Sequence, residues 1–475
     1  MLRHTLPPVP TGWNKARWYG PGLLWMLSAV GTGSILFTPR VAAEYEYQLL
    51  WLLLLVVFFM WVMIREMARY SIVTGQTMLD GMYALPGPRG WAVWFILLPQ
   101  LMAAAAGIAG LAAVVGSALQ SLLPGGGGPY AVALVVLSTF FVTRGRYRAV
   151  ERFSQLMASL LMIIVLVAAA AVAPGVEALA GGLRPSWPAQ PELYIILPWV
   201  GTILAGSMGI VWFGYWTATR GYGGGLASRD RDEETPADAA ASTAAAGHEE
   251  PATRVARARG WVRLMTGAAT LGVGGGLLVI IAFLVLGAEL LAPENKLPQG
   301  ADVAADLTTL FSSVWGQPGE YLLLAAIVIA LGGSVLANQD GWGRSFADMT
   351  LILTRRQREA GRPGRFLRLL GAVQVRTGWR LQQRRPLKRA FIVLVTAALP
   401  VLIILLSQDP VRVMSASGLI AAMHTPFIAL TALWVNRRRL PEGLRPGRFA
   451  SLTMTAAGLF YLGFAAVYLW NLAQG

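Results

Sequence analysis

About eleven stretches of this chain are apolar over roughly 20 residues each, long enough to cross a bilayer as helices. They begin near Pro21, Tyr47, Trp91, Pro129, Gln155, Leu193, Trp261, Tyr321, Lys388, Val411 and Ala450. Nothing else in the sequence restricts the fold as tightly. In hydrocarbon each backbone polar group must be satisfied inside its own segment, and an apolar run of that length does this only as a helix. The expectation is an all-α polytopic membrane protein with about 11 transmembrane helices. Composition agrees: 55% of the 475 residues are hydrophobic and 13% are charged, against roughly 25% charged in ordinary soluble domains.

The formal charge of +15 does not point to nucleic acid, because the basic residues sit in short segments between apolar runs. Lys15 and Arg17 precede span 1, and Arg65 and Arg69 close span 2. Arg144 to Arg152 separate spans 4 and 5, Arg220 to Arg259 follow span 6, Arg355 to Arg389 follow span 8, and Arg437 to Arg439 follow span 10. All fall on one side if the N-terminus is cytoplasmic, while Glu289, Glu294, Asp302, Asp306 and Asp409 fall on the other. The positive-inside rule therefore predicts a cytoplasmic N-terminus, an external C-terminus and residence in the plasma membrane. Pro7, Pro8 and Pro10 before any apolar core argue against a cleavable signal peptide. The predicted divisions are a tail at 1–20, helices 1–5 at 21–175, helix 6 at 193–222, a disordered cytoplasmic loop at 223–258, and helices 7–8 at 259–352. A basic amphipathic loop at 353–388, helices 9–10 at 389–436 and helix 11 at 448–473 follow.

Span 1 carries Gly31-Thr32-Gly33-Ser34 near mid-depth. Two glycines beside two hydroxyl residues weaken a helix there, and a spanning helix broken at mid-membrane is a common way to build a transport site. A close helix contact through small residues is the plainer explanation. An inverted repeat places a second break in span 6, and Ile203 to Ile210 supplies one, with Gly206 and Gly209 around Ser207 and Met208. Spans 1–5 and 6–10 then form two repeats.

Ionisable groups at membrane depth are functional candidates. His424 is the one histidine within a span; it can ligate a metal, shuttle a proton, or bond a neighbouring carbonyl. Asn338, Gln339, Asp340 and Arg344 form a second cluster, where Asp340 and Arg344 are spaced to pair across one helical turn or to gate. Glu151 beside Arg148 and Arg152, and Asp80 near Arg69, read as inner-face ion pairs. Trp212, Phe213, Tyr215 and Trp216 read first as interface packing and second as an aromatic box for an organic cation. No Walker motif, helix-borne histidine pair or Ser-His-Asp arrangement occurs, so the chain reads as neither an enzyme nor an ATP-driven pump and calls for no cofactor.

The order of several motifs resembles the natural resistance-associated macrophage protein (Nramp) family of divalent metal transporters. Gly20-Pro21-Gly22 ahead of the break and Tyr47 to Trp51 are similar to that family's opening. Arg69 to Gly75 with Asp80 resembles the end of its second helix, and Arg146 to Phe153, with Glu151, the start of its fifth. Met423-His424-Thr425-Pro426-Phe427 resembles its tenth-helix Gln-Leu-Pro-Phe stretch. The resemblance runs from Gly20 to Arg439 and implies a LeuT-like inverted 5+5 repeat, with helices 1 and 6 broken, working by alternating access.

The implied site departs from the family's pattern. Gly31, Thr32, Gly33 and Ser34 stand where the family has Asp-Pro-Gly-Asn, so both metal-ligating side chains are gone. Ala205 and Met208 keep the sixth-helix Ala-x-x-Met spacing, but Gly209 and Ile210 replace Pro-His; His424 takes the place of the tenth-helix glutamine. Ala103, Gly110 and Ala113 stand where the family has the third-helix acids that accompany proton movement. The expected substrate contacts are Gly31, Thr32, Gly33, Ser34, Ala205, Gly206, Met208 and His424, with Met208, His424 and Ser34 as metal ligands. A set without an anion suits a hydrated or soft cation. The leading expectation is a secondary transporter of a cation, a divalent metal first, with coupling to protons left open. A same-fold carrier of an organic solute such as an amine, and a non-transporting receptor or scaffold, stay open. The partners expected are the lipid bilayer and a small ion or molecule, without nucleic acid; oligomeric state is left open, and a monomer suffices.

Overall fold

The computed structural model describes residues 6–29, 31, 33–88, 90–145, 148–224, 250–300, 303–359, 364–378, 381–407 and 409–474. Among them every regular element is a helix. Among the described residues nine helices are long and apolar enough to cross a membrane: Leu50–Thr74, Trp91–Leu122, Gly127–Arg144, Leu193–Ala218, Ala252–Leu291, Gln317–Thr354, Arg384–Leu406, Pro410–Arg439 and Arg448–Asn471. A tenth segment joins Gln155–Ala171 to Val176–Gly182 through a 114° bend. Span 1 escapes such a count because it is in pieces, Gly20–Ala29, Gly33–Phe37 and Thr38–Tyr45.

Apolar pattern decides which spans lie inside. Span 6 is apolar all round, as a helix enclosed by others must be, and 94% of its apolar window is buried against 22% for span 4. Spans 6 and 3 are the most enclosed, at 94% and 78%, and spans 4, 9 and 11, at 22%, 39% and 33%, leave most of their apolar surface to lipid. Close approach at the centre depends on missing side chains. A Cβ on Gly201 of span 6 would overlap the Gly418 carbonyl of span 10, and one on Gly33 would lie 2.5 Å from the Thr202 carbonyl.

The cytoplasmic segments differ from expectation in two places. The segment 223–258 lies outside the described residues over 225–249, but its end is helical: span 7 begins at Pro251, whose ring suits a first helical turn. Arg257 donates to the Leu6 carbonyl at 3.1 Å and Trp261 to the Pro7 carbonyl at 2.9 Å, so the described part of the N-terminal tail packs on this extension. The segment 353–388, of which part is expected to be an amphipathic helix, is helical over most of its described length. The span 8 helix runs on to Glu359, Arg365–Thr377 is a separate helix, and span 9 starts at Arg384. The Arg148, Glu151 and Arg152 side chains lie outside the described residues. Arg69 meets Glu66 at 2.8 Å, while Asp80 closes a capping box with Thr77.

Candidate functional site

Both expected breaks are present. Span 1 stops at Ala29 and resumes as a π-turn at Gly33–Phe37; Val30 and Thr32 lie outside the described residues. Span 6 breaks between Thr202 and Gly206, where Leu204 takes a left-handed backbone (φ 53°) and Gly206 follows at φ 58°. Gly206 bears this without penalty, whereas Leu204 is held there by packing. Indole donors lock the breaks together. Trp199 donates to Thr38 Oγ1 at 3.0 Å, Thr38 donates to the Gly33 carbonyl at 2.9 Å, and Trp25 donates to the Gly209 carbonyl at 3.1 Å.

A cavity of about 130 Å³ lies at this junction, with room for several waters. Gly31 and Gly33 border it from span 1, Gly201, Thr202, Ser207 and Met208 from span 6, Gln100 from span 3, Asn338 and Ser334 from span 8, and Met414 and Ser417 from span 10. Trp25, Trp212, Trp216 and Trp342 complete the wall. Among the described residues no aspartate, glutamate, lysine, arginine or histidine lines it, and no group of three or more His, Cys, Asp or Glu is placed to hold a metal.

Its polar side chains nevertheless share one bias. Thr202 donates its hydroxyl hydrogen to the Pro198 carbonyl (2.7 Å), Ser334 to Ala330 (2.9 Å) and Ser417 to Ala103 (2.9 Å). Asn338 donates to the Ser334 carbonyl at 2.8 Å. Gln100 Nε2 donates to Ser207 Oγ at 2.9 Å and lies 2.8 Å from His424 Nδ1. These hydrogens are spent on the protein, so that oxygen lone pairs, thioether sulfurs and indole faces outnumber the donors left to the cavity, which among these residues are the Ser207 hydroxyl and the second Asn338 N–H. Without a formal charge, the wall is electronegative.

Of the residues expected from sequence, Gly31, Gly33 and Met208 line the cavity. Thr32 lies outside the described residues, as does the Ala205 side chain. Gly206 forms the bend. Ser34 and His424 are buried but are not among the lining residues: Ser34 Oγ has no hydrogen-bond partner among the described residues, and His424 stacks on Phe427 behind Gln100. Asp340 meets Arg344 at 2.5 Å and also Lys388 of span 9, away from the cavity. Nearby, Arg384 binds Asp348 at 2.8 Å and Tyr215 of span 6. Sequence reasoning missed Gln100, although a glutamine amid Leu97, Leu98 and Leu101 carries the signal of a polar group at depth. Trp212 and Trp216, read first as packing and second as an aromatic box, both border the cavity.

The sequence matches the profile of the natural resistance-associated macrophage protein-like (Nramp) family over residues 22–338. No curated protein matches it. Among solved structures, a mutant of the Eremococcus coleocola manganese transporter is 14% identical, with a TM-score of 0.63 over 98% of this chain and 89% of that one. The same transporter in complex with an aromatic bis-isothiourea substituted compound gives 0.64 at 13% identity, over 98% of this chain and 89% of that one. MhsT in complex with L-phenylalanine gives 0.53 at 13% identity, over 94% of this chain and 98% of that one. At such identities the likeness speaks for fold, and the fold is the LeuT-like one that two broken helices imply.

Proposed function

From the premise that this chain belongs to the Nramp family of membrane transporters, we propose that it is a secondary transporter of a cation, with a divalent transition metal as its substrate class. The observation that carries the reading is the acceptor-lined, uncharged cavity where spans 1 and 6 break. Such a wall repels anions and offers carbonyl, hydroxyl and thioether ligands to a cation that keeps part of its hydration shell. Family membership and the fold shared with a manganese transporter place a metal first. The cation enters by alternating access, the two half-helices of spans 1 and 6 moving against spans 3, 8 and 10. The basic loops favour a cytoplasmic N-terminus and external C-terminus in a plasma membrane.

Uptake of manganese into proteoliposomes, competed by magnesium, calcium and cadmium with and without a pH gradient, tests this. Saturable manganese flux is expected. With no titratable side chain lining the cavity among the described residues, an imposed pH gradient should change the initial rate by less than about twofold. Met208→Ala should raise the KM for cadmium about tenfold and that for manganese by less than about threefold, because the thioether prefers the softer ion.

The four indoles support a second reading, an organic ammonium held over aromatic faces. A protein that moves no metal but is protected from thermal unfolding by tetramethylammonium would establish it. A folded protein that binds neither would leave only a receptor or scaffold.

A further inference from the structure

We propose that Gln100 is a cation ligand of this cavity and that His424 is the residue that positions it. The inference rests on the cation reading above. A carboxamide has two N–H donors and one carbonyl oxygen. Gln100 is buried in the first third of span 3, and both of its donors are committed: one points to Ser207 Oγ at 2.9 Å, the other to His424 Nδ1 at 2.8 Å. Among the described residues no donor reaches Oε1, and Gln100 lines the cavity. The carbonyl oxygen is therefore what this side chain offers to the cavity.

That orientation depends on the histidine. If Nδ1 carried a proton, it would demand the carboxamide oxygen, the group would turn over, and an NH₂ would face the cation. Span 3 supplies the reason it does not. Pro99 lies inside the span 3 helix and has no N–H, so the Phe95 carbonyl, four residues earlier, loses its helical partner. The imidazole faces this freed carbonyl at a geometry looser than an ordinary hydrogen bond. The tautomer with its N–H on Nε2, beside that acceptor, leaves Nδ1 to accept from Gln100, and this is the tautomer we assign. Phe427 and Phe95, each with its ring centre 6.1 Å from the imidazole, limit how the ring can turn. His424 thus acts one step behind the cavity, through Gln100, and not as a ligand itself.

Initial rates of manganese uptake by the full chain in proteoliposomes decide it. Gln100→Leu should raise KM about tenfold or more, the loss expected of one contact to a charged group, with the maximal rate kept within about twofold. His424→Leu should do the same, and the double variant should be no worse than Gln100→Leu alone, since the histidine works through the glutamine. His424→Gln, whose carbonyl can accept the same N–H, should restore KM to within about threefold of wild type. Gln100→Glu keeps the shape, adds negative charge, and should lower KM, which keeps the proposal testable if the leucine variant fails to fold. An unchanged KM in Gln100→Leu, or a raised KM in folded Gln100→Glu, overturns the ligand role. Additive losses in the double variant overturn the positioning role. A wild type that moves no manganese overturns the metal reading, and this proposal with it, whereas a transporting wild type whose KM the Gln100 variants leave unchanged overturns this proposal alone.

Discussion

Replacing Glu66 with leucine is expected to lower the stability of the purified protein by about 3 kcal/mol, the scale on which an uncompensated buried charge acts. Glu66 is fully buried near the end of span 2. Its carboxylate accepts from Arg69 Nε at 2.8 Å and Nη2 at 3.0 Å, a two-pronged pairing that fixes geometry as well as charge. Arg65 lies 3.9 Å away and rests on the Trp61 ring. Asn436 of span 10 donates to the Glu66 backbone carbonyl at 2.8 Å, and Arg69 also reaches the Leu444 carbonyl at 3.4 Å. The Glu66–Arg69 pair and the Glu66 main chain therefore tie span 2 to span 10 and to the segment before span 11. Leucine fills the space but leaves two guanidinium groups, only 13% and 15% exposed, without an anion. Adding Arg69→Met to Glu66→Leu should recover part of the loss, because the stranded charge goes with its partner. Thermal unfolding in detergent, followed by tryptophan fluorescence, measures both. A Glu66→Leu protein as stable as wild type would mean that the cluster is solvated and contributes little.

The spans and both breaks were legible because they depend on local sequence. Apolar length sets a span, and Gly31 to Ser34 and Ile203 to Ile210 weaken a helix wherever it packs. Met208 was legible for the same reason, lying next to a break. Contacts between distant segments were not. Asp340 and Arg344 can be paired from their spacing, but Lys388, 48 residues away from Asp340, closes the cluster only in the folded chain. His424 was recognised as unusual at depth, yet its partner Gln100 is 324 positions away, so a role as ligand and a role behind a ligand look alike in sequence. The early start of span 7 at Pro251 escaped notice because alanine and arginine are good helix formers as well as common loop residues. Periodicity is silent where a helix leaves the apolar layer.

Gly201→Val is expected to abolish transport and most of the folded yield, a larger effect than substitution of any polar side chain of the cavity. Spans 6 and 10 cross with backbone against backbone. A Cβ at Gly201 would overlap the Gly418 carbonyl, and one at Gly418 would lie 2.7 Å from the Pro198 carbonyl. Both obstacles are main-chain atoms, so no rotamer change relieves them; a helix must move. Overpacking of ordinary cores costs about 1–3 kcal/mol, and valine here meets backbone on a span whose apolar window is 94% buried. Movement would also propagate, since Gly201 and Thr202 border the cavity and a Gly33 Cβ would lie 2.5 Å from the Thr202 carbonyl. Gly201→Ala should therefore remain folded in part but lose most of its uptake. Gly274→Ala provides the contrast: nothing lies within 4 Å of its Cβ position in span 7, so alanine should be neutral or stabilise by up to about 1 kcal/mol through helix propensity and chain entropy. Folded yield by size-exclusion chromatography and manganese uptake distinguish the two glycines. If Gly201→Ala matched Gly274→Ala in both, spans 6 and 10 could not cross as closely as this fold has them. The cavity between them would then owe its shape to side chains alone.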